Sequence, residues 1–223
     1  MQILGNSYLK RRIRNVYFVI ICLVILLALL VTGCLPTTTV TTPEEFFNFD
    51  SATGTITGYD IAGGLDVFIP STIGGVAVEH IGIDAFLEKY LTSVIIPDSV
   101  VSIGACAFRI NLLTSITIPD SVTSIDYRAF YNNQLTSITI PDSVTSIDYL
   151  VFAYNLLTSI TIPDSVTSID YLAFYNNQLT SITIGSGVAI EESLDTMGTN
   201  LGFKTVYDDG GKIAGTYNYT EGV

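Results

Sequence analysis

Seven aspartates are the residues whose type and spacing come nearest to chemistry in this chain of 223 residues. Asp98, Asp120, Asp142 and Asp164 stand 22 residues apart, and Asp126, Asp148 and Asp170 repeat the same step. Carboxylates stacked about 5 Å apart repel one another and attract calcium. The favoured reading is plainer. Turn and cap residues recur because the unit carrying them recurs, and screening at a surface makes their repulsion tolerable. Carboxylate pairs also mark glycosidases, but here no pair stands apart from the repeat, which argues against an enzyme. His80 is the one histidine, without a Cys or His cluster near it in sequence, and a lone imidazole does not make a zinc site. The chain has no P-loop, G-x-S-x-G or dinucleotide fingerprint. Gly185-Ser186-Gly187 replaces a proline turn and reads as the end of an array. No cofactor and no metal are expected.

Three further groups of residues are chemical in other ways. Val31-Thr32-Gly33-Cys34 follows an apolar run over residues 16–31 and the cations Lys10, Arg11, Arg12 and Arg14. Charge, apolar core and small residues before a cysteine come in the order of a bacterial lipoprotein signal, with the Cys34 thiol as acceptor of the diacylglycerol. The alternative is an uncleaved membrane helix, near the lower length limit for spanning. Tyr127, Tyr149 and Tyr171 form a column, with Tyr131, Tyr154 and Tyr175 nearby. Such rings serve equally as interface contacts or as packing between neighbouring units. Ser115, Thr117, Ser137, Thr139, Ser159 and Thr161 form a regular hydroxyl array.

These columns are positioned by an internal repeat. Residues 113–134, LTSITIPDSVTSIDYRAFYNNQ, return almost letter for letter at 135–156 and 157–178, with a looser copy at 91–112 and a broken one from Leu179. A fixed period of this length is the signature of a solenoid. In LTSITI, Leu113, Ile116 and Ile118 point inward, so Ser115 and Thr117 point outward from a strand. Pro119 ends the strand and Pro119-Asp120-Ser121 makes a turn. Val122 and Ile125 return to the interior. Asp126 is expected to cap a short helical turn over Tyr127-Arg128-Ala129, with Phe130 filling the core. Equal spacing stacks Phe108, Phe130, Phe152 and Phe174 inside. It also makes a ladder of Asn111, Asn133, Asn155 and Asn177, whose amides are expected to bond turn backbone of the same or the next coil. One coil buries too little apolar surface to offset its ordering entropy, so stability arises from stacking.

The IPDSVTSI segment followed by AF and LTSI resembles the BspA-like class of leucine-rich repeats, over about residues 46–219. The resemblance implies a curved, β-rich solenoid displayed on a bacterial cell surface, often in adhesion or protein binding. Ser121 stands where the commoner leucine-rich repeat has asparagine, so turns and short helical pieces are expected in place of a regular convex helix.

The fold class that follows is mainly β: a leucine-rich-repeat-like solenoid of 22-residue coils with a parallel sheet, an atypical N-terminal capping coil and a C-terminal β-hairpin. Residues 1–33 read as signal peptide. Residues 34–45 read as the lipidated cysteine and a Thr/Pro-rich tether, 46–90 as the cap, 91–184 as the repeat solenoid and 185–223 as the C-terminal cap. The hairpin is expected between 203–207 and 213–219, about Asp208-Asp209-Gly210-Gly211. Net charge is −12; four of the nine Lys and Arg precede Cys34 and no acid does, leaving five cations against 21 acids, a net −16. That excludes a nucleic-acid footprint and suits solubility outside the cell. Of the three cysteines, Cys22 lies in the signal core and Cys34 is the lipidation residue, so Cys106 has no disulfide partner.

The leading functional expectation is a membrane-anchored, extracytoplasmic protein whose solenoid binds an extracellular protein or glycan through the hydroxyl array or the Tyr127, Tyr149, Tyr171 column. A passive surface protein without specific ligand is the alternative, and an ice-binding solenoid, suggested by the hydroxyl array, a more distant one.

Overall fold

The computed structural model describes residues 41–170, 172–190, 211 and 214–218. Within them the chain is a solenoid of 22-residue coils without α-helix, each coil having three sides. The first side is the LTSITI segment. Leu113, Ile116 and Ile118 are buried there, and Thr114, Ser115 and Thr117 are exposed, as the alternation requires. After Pro119 the chain turns, with Val122 N–H donating to the Pro119 carbonyl at 3.0 Å. The second side buries Val122 and Ile125 and carries the short strand Ser124–Ile125. The third side, from Asp126 to Asn133, brings Phe130 into the centre.

The expected helical turn at Tyr127-Arg128-Ala129 is not formed. Ala129 N–H donates to the Asp126 carbonyl at 3.2 Å, and Arg128 has φ +55°. Positive φ at the third residue is type II turn geometry. Cys106, Leu150 and Leu172, the equivalent residues, have φ of +56°, +55° and +58°. Such conformations are strained for residues other than glycine and persist only where surroundings over-determine them. Here the surroundings are the neighbouring coils. Arg128, Phe130 and Asn132 N–H donate to the Tyr149, Val151 and Ala153 carbonyls, each at 3.0 Å. A helix would satisfy these groups internally and leave the coils unbonded on this side.

The second side forms a sheet that starts with the antiparallel pair Phe47–Asp50 and Thr55–Tyr59. It continues in parallel through His80–Ile81, Ser102–Ile103 and Ser124–Ile125. A separate parallel set joins Ser146–Ile147, Ser168–Ile169 and Ala189–Ile190. No strand pairing joins Ser124–Ile125 to Ser146–Ile147. The first side departs from expectation too. Asp66–Phe68 pairs with Ser93–Ile95, and Ser159–Thr161 with Ser181–Ile184, but residues 113–118 and 135–140 are not strands. Leu113, Ile116, Ile118, Leu135 and Ile140, all buried, and Ile138, half-buried against the core, therefore fix the outward hydroxyls in the central coils without a strand ladder.

The core is a column of phenylalanines. Phe86, Phe108, Phe130, Phe152 and Phe174 stack with centroid distances of 5.0, 5.4, 5.7 and 5.6 Å and planes within 14° of parallel. At the N-terminal end, Phe47 and Tyr59 lie against Phe86 at 6.4 and 5.4 Å and close the column. Residues 42–45, placed in the tether by composition, pack as part of this fold. Thr42 is buried and exchanges two hydrogen bonds with the Phe68 backbone, at 3.0 and 2.9 Å, and Glu44 Oε2 accepts from Gly74 N–H at 2.9 Å. At the other end Gly215–Asn218 pairs antiparallel with Ser181–Ile184, covering that sheet's edge. Residues 203–207, the expected hairpin partner, lie outside the described residues.

Candidate binding surfaces

The asparagine ladder is the strongest polar structure of the molecule, and it is internal. Asn133 Oδ1 accepts from Leu113 N–H at 3.2 Å, while Nδ2 donates to the Phe108 and Phe130 carbonyls at 2.9 and 3.1 Å. Asn111, Asn155 and Asn177 repeat the pattern, all four being buried. Each amide thus ties its own coil to the preceding one and offers nothing to a ligand. A second such column was not legible beforehand. Ser99, Ser121, Ser143 and Ser165 hydroxyls donate to the Val78, Val100, Val122 and Val144 carbonyls of the preceding coil. The equal spacing of these serines was the available signal.

His80 is half-buried, with Nδ1 2.8 Å from Ser102 Oγ across the sheet. Asp98, Asp120, Asp142 and Asp164 are exposed on the turn after the proline. Among the described residues no group of three or more His, Cys, Asp or Glu could hold a metal ion. In the second aspartate column, Asp148 Oδ1 accepts from Tyr149 N–H at 2.8 Å. Crowding removes water from the Asp126 carboxyl and raises its pKa, and the neighbouring Asp148 charge adds to the rise. Asp148 and Asp170 line a shallow cleft with Ser146, Ile147, Ser168 and Ile169. In the cap, Thr92 and Ser93 hydroxyls donate to Asp66 at 2.7 and 2.8 Å and lower its pKa. The Tyr59 hydroxyl, donating to the Gly64 carbonyl at 3.0 Å, is pushed up to about 12 by burial, with Asp60 adding to the shift.

Two exposed surfaces remain. Ser115, Thr117, Ser137, Thr139, Ser159 and Thr161 are all exposed on the first side. At its C-terminal end, Thr183 Oγ1 lies 2.8 Å from Thr216 Oγ1 of the covering strand. The second surface is the turn flank. Tyr127 is exposed and Tyr149 half-buried; Tyr171 lies outside the described residues. The Arg128 guanidinium lies 5.5 Å from the Tyr149 ring and 5.8 Å from that of Tyr131, and Arg109 lies 5.6 Å from Tyr131. Tyr131, Tyr154 and Tyr175 follow one another at 5.0 and 5.4 Å. The sequence reading singled out these rings but missed the arginines. Arg109 and Tyr131 are one repeat apart, which places them in one column. Cys34 lies outside the described residues. Cys106 is buried and unpaired.

A stack of coils held by phenylalanine, asparagine and serine columns, with a short strand on each coil's second side, defines a leucine-rich-repeat solenoid of the helix-poor kind. The chain belongs to the BspA-type leucine-rich repeat family, whose model matches residues 79–194 in six copies. Comparison with curated protein sequences returned no match. Among solved structures, it is similar to the T. pallidum leucine-rich repeat protein TpLRR, at 30% identity and TM-score 0.56, over 64% of this chain and 71% of that one. It is also similar to a leucine-rich repeat protein from Bacteroides ovatus, at 31% identity and TM-score 0.53, over 64% of this chain and 43% of that one. A third, from Eubacterium ventriosum, is 26% identical with TM-score 0.52, over 60% of this chain and 38% of that one. The match thus spans less than half the length of the last two.

Proposed function

We propose that this protein is a lipid-anchored, extracytoplasmic repeat protein that binds a macromolecular partner, an extracellular protein or glycan, along its solenoid. The observation carrying the reading is the exposure of all six hydroxyls of the LTSITI side, from Ser115 to Thr161, on three successive coils. Their outward direction is fixed by the inward Leu, Ile and Ile beside them, all buried except the half-buried Ile138. They form a broad face without charged side chains, suited to hydrogen bonding over a long footprint. The membrane anchor is supported by the signal-like start and by Cys34 behind small residues. Several acyl chains, each methylene contributing about 0.8 kcal/mol, would hold it firmly. An ice-binding role is disfavoured by the central coils, where residues 113–118 and 135–140 lack the strands a flat, regular array needs.

Thr117, Thr139 and Thr161 replaced together by Lys would place three charges on this face without touching the core. A partner recovered from extracellular proteins and glycans by the unmodified protein should be lost by this variant. Unchanged affinity of the variant would remove the hydroxyl face as the site. Failure to recover any partner would favour the passive surface protein. Incorporation of a fatty-acid probe, abolished in Cys34→Ala, is the expected result for the anchor.

A further inference from the structure

We propose that the turn flank around Tyr131 binds a carboxylate-bearing sugar residue of a glycan, with Arg109 and Arg128 taking the carboxylate and the Tyr131 and Tyr154 rings the sugar face. The inference concerns a different flank from the hydroxyl face and does not rest on it.

The charge pattern comes first. Beyond Cys34 the chain has five Lys and Arg against 21 Asp and Glu. Arg109 and Arg128 nonetheless share one ring, each guanidinium lying within 6 Å of the Tyr131 ring centre, at 5.6 and 5.8 Å. Among the described residues neither forms an ion pair, although each is surrounded by an acidic molecule. The Nε atom of each is buried without a hydrogen-bond partner. Stacking on Tyr131 and Tyr149, not hydrogen bonding, therefore holds the two guanidiniums. Neither guanidinium has an anionic partner among the described residues, and the ring faces supply only part of what one would give. A carboxylate would complete the site, since guanidinium donors match its two oxygens as a fork.

The backbone of the flank then selects the kind of carboxylate. Cys106, Arg128, Phe130, Asn132 and Tyr154 N–H all donate to carbonyls of the next coil, at 2.7–3.1 Å. The main chain is thus spent on stacking and has no row of groups to offer an acidic peptide as an added strand. Recognition falls to side chains, and these are rings beside guanidiniums. Tyr131, Tyr154 and Tyr175 step along the stack at 5.0 and 5.4 Å. Pyranose rings present C–H faces to aromatic rings, and an extended glycan advances by a comparable step per sugar.

The test titrates the full chain, in detergent micelles, into three fluorescently labelled probes of equal length: a β-linked oligoglucuronate, the neutral β-linked oligoglucose and oligoglutamate. The oligoglucuronate should bind at least tenfold more tightly than either of the others, and less tightly as salt rises. Arg109→Gln with Arg128→Gln should bring it to the level of the neutral probe. Arg→Lys at both positions, keeping charge but losing the fork, should lose affinity in part. Equal binding of oligoglucuronate and oligoglucose, or none of either, overturns the proposal in the unmodified protein, whatever the stability of the variants. Oligoglutamate binding as tightly, with the same arginine dependence, replaces the glycan by an acidic peptide and equally overturns it.

Discussion

Asn155→Ala should be among the most destabilising single changes in the solenoid, although no hydrophobic contact of note is lost. The Asn155 amide accepts from Leu135 N–H at 3.0 Å and donates to the Phe130 and Phe152 carbonyls, both at 3.0 Å. The residue is buried, and its partners belong to two successive coils. Truncation strands one buried donor, Leu135 N–H, and takes one of two bonds from each carbonyl, since Phe130 keeps Asn133 Nδ2 and Phe152 keeps Asn177 Nδ2. The stranded donor costs about 1–3 kcal/mol and each lost carbonyl bond about 0.5–1.5 kcal/mol, and water entering the vacated space recovers part of that. A loss of about 2–5 kcal/mol follows, a large share of the ~5–15 kcal/mol that stabilises an ordinary domain. Urea unfolding followed by circular dichroism measures it. Asn155→Asp sharpens the reasoning, because it keeps the shape and the acceptor for Leu135 but aims a carboxylate oxygen at two carbonyls. Its carboxyl is therefore expected to have a folded-state pKa above the unfolded value of about 3.9. The folded state then binds the proton more tightly, so this variant should gain stability relative to the parent as pH falls and be weakest near neutrality. A loss under about 1 kcal/mol for Asn155→Ala, set against the range above, would refute the idea that the ladder joins coils. So would an Asn155→Asp deficit independent of pH.

Phe152→Ala, in the middle of the stacked column, should cost about 3–5 kcal/mol, whereas Tyr127→Ala, exposed on the flank, should stay within about 0.5 kcal/mol; comparable melting losses would contradict the inside–outside assignment. For Tyr59 the folded pKa of about 12 exceeds the ordinary 10.0, so its contribution is whole below pH 10 and is lost as pH rises from 10 towards 12. Tyr59→Phe should remove that alkaline step from a stability profile. Asp126, raised by desolvation and by Asp148, holds its proton more tightly when folded. The parent should therefore gain stability on acidification through the carboxylate range. Asp126→Asn should be more stable than the parent at neutral pH and lose that acid-side gain, which thermal melts at pH 4 and pH 7 resolve.

What the sequence made legible is what the period multiplies. Leu113, Ile116, Ile118, Phe130 and Asn133 each stand in a column, and a column has one reading for all its members. The helix-poor third side was harder to foresee. Asp126-Tyr127-Arg128-Ala129 has the chemistry of a capped helical turn, and nothing at Arg128 announces a positive φ as glycine would. The bonds that hold this turn, such as Arg128 N–H to the Tyr149 carbonyl, run between coils and have no local trace. The same holds for Gly215–Asn218, whose partner lies more than thirty residues back at Ser181–Ile184.

Near-identical repeats also do not give identical coils, and the exceptions carry the most information. The Asp126, Asp148, Asp170 column begins with Gly82 and Gly104, where a Cβ would lie 2.8 Å from the Ile56 carbonyl oxygen and 2.9 Å from that of Ile81. The early coils thus pack more closely than a Cβ at those glycines would permit. The aspartates start at the coil where the sheet continuing from the cap ends, at Ser124–Ile125. Phenylalanine, asparagine and serine recur because every coil needs the same core filler and the same two bonds to its neighbour. Arg109 and Arg128 do not recur. Their columns hold leucine, tyrosine, alanine and tyrosine in one case, and aspartate, cysteine, leucine and leucine in the other. The stack therefore forms without an arginine at either position. A position that stacking leaves open is one where a charge can be placed for a partner's sake. Two such charges meeting on one tyrosine, in a chain this acidic, are hard to account for by folding alone.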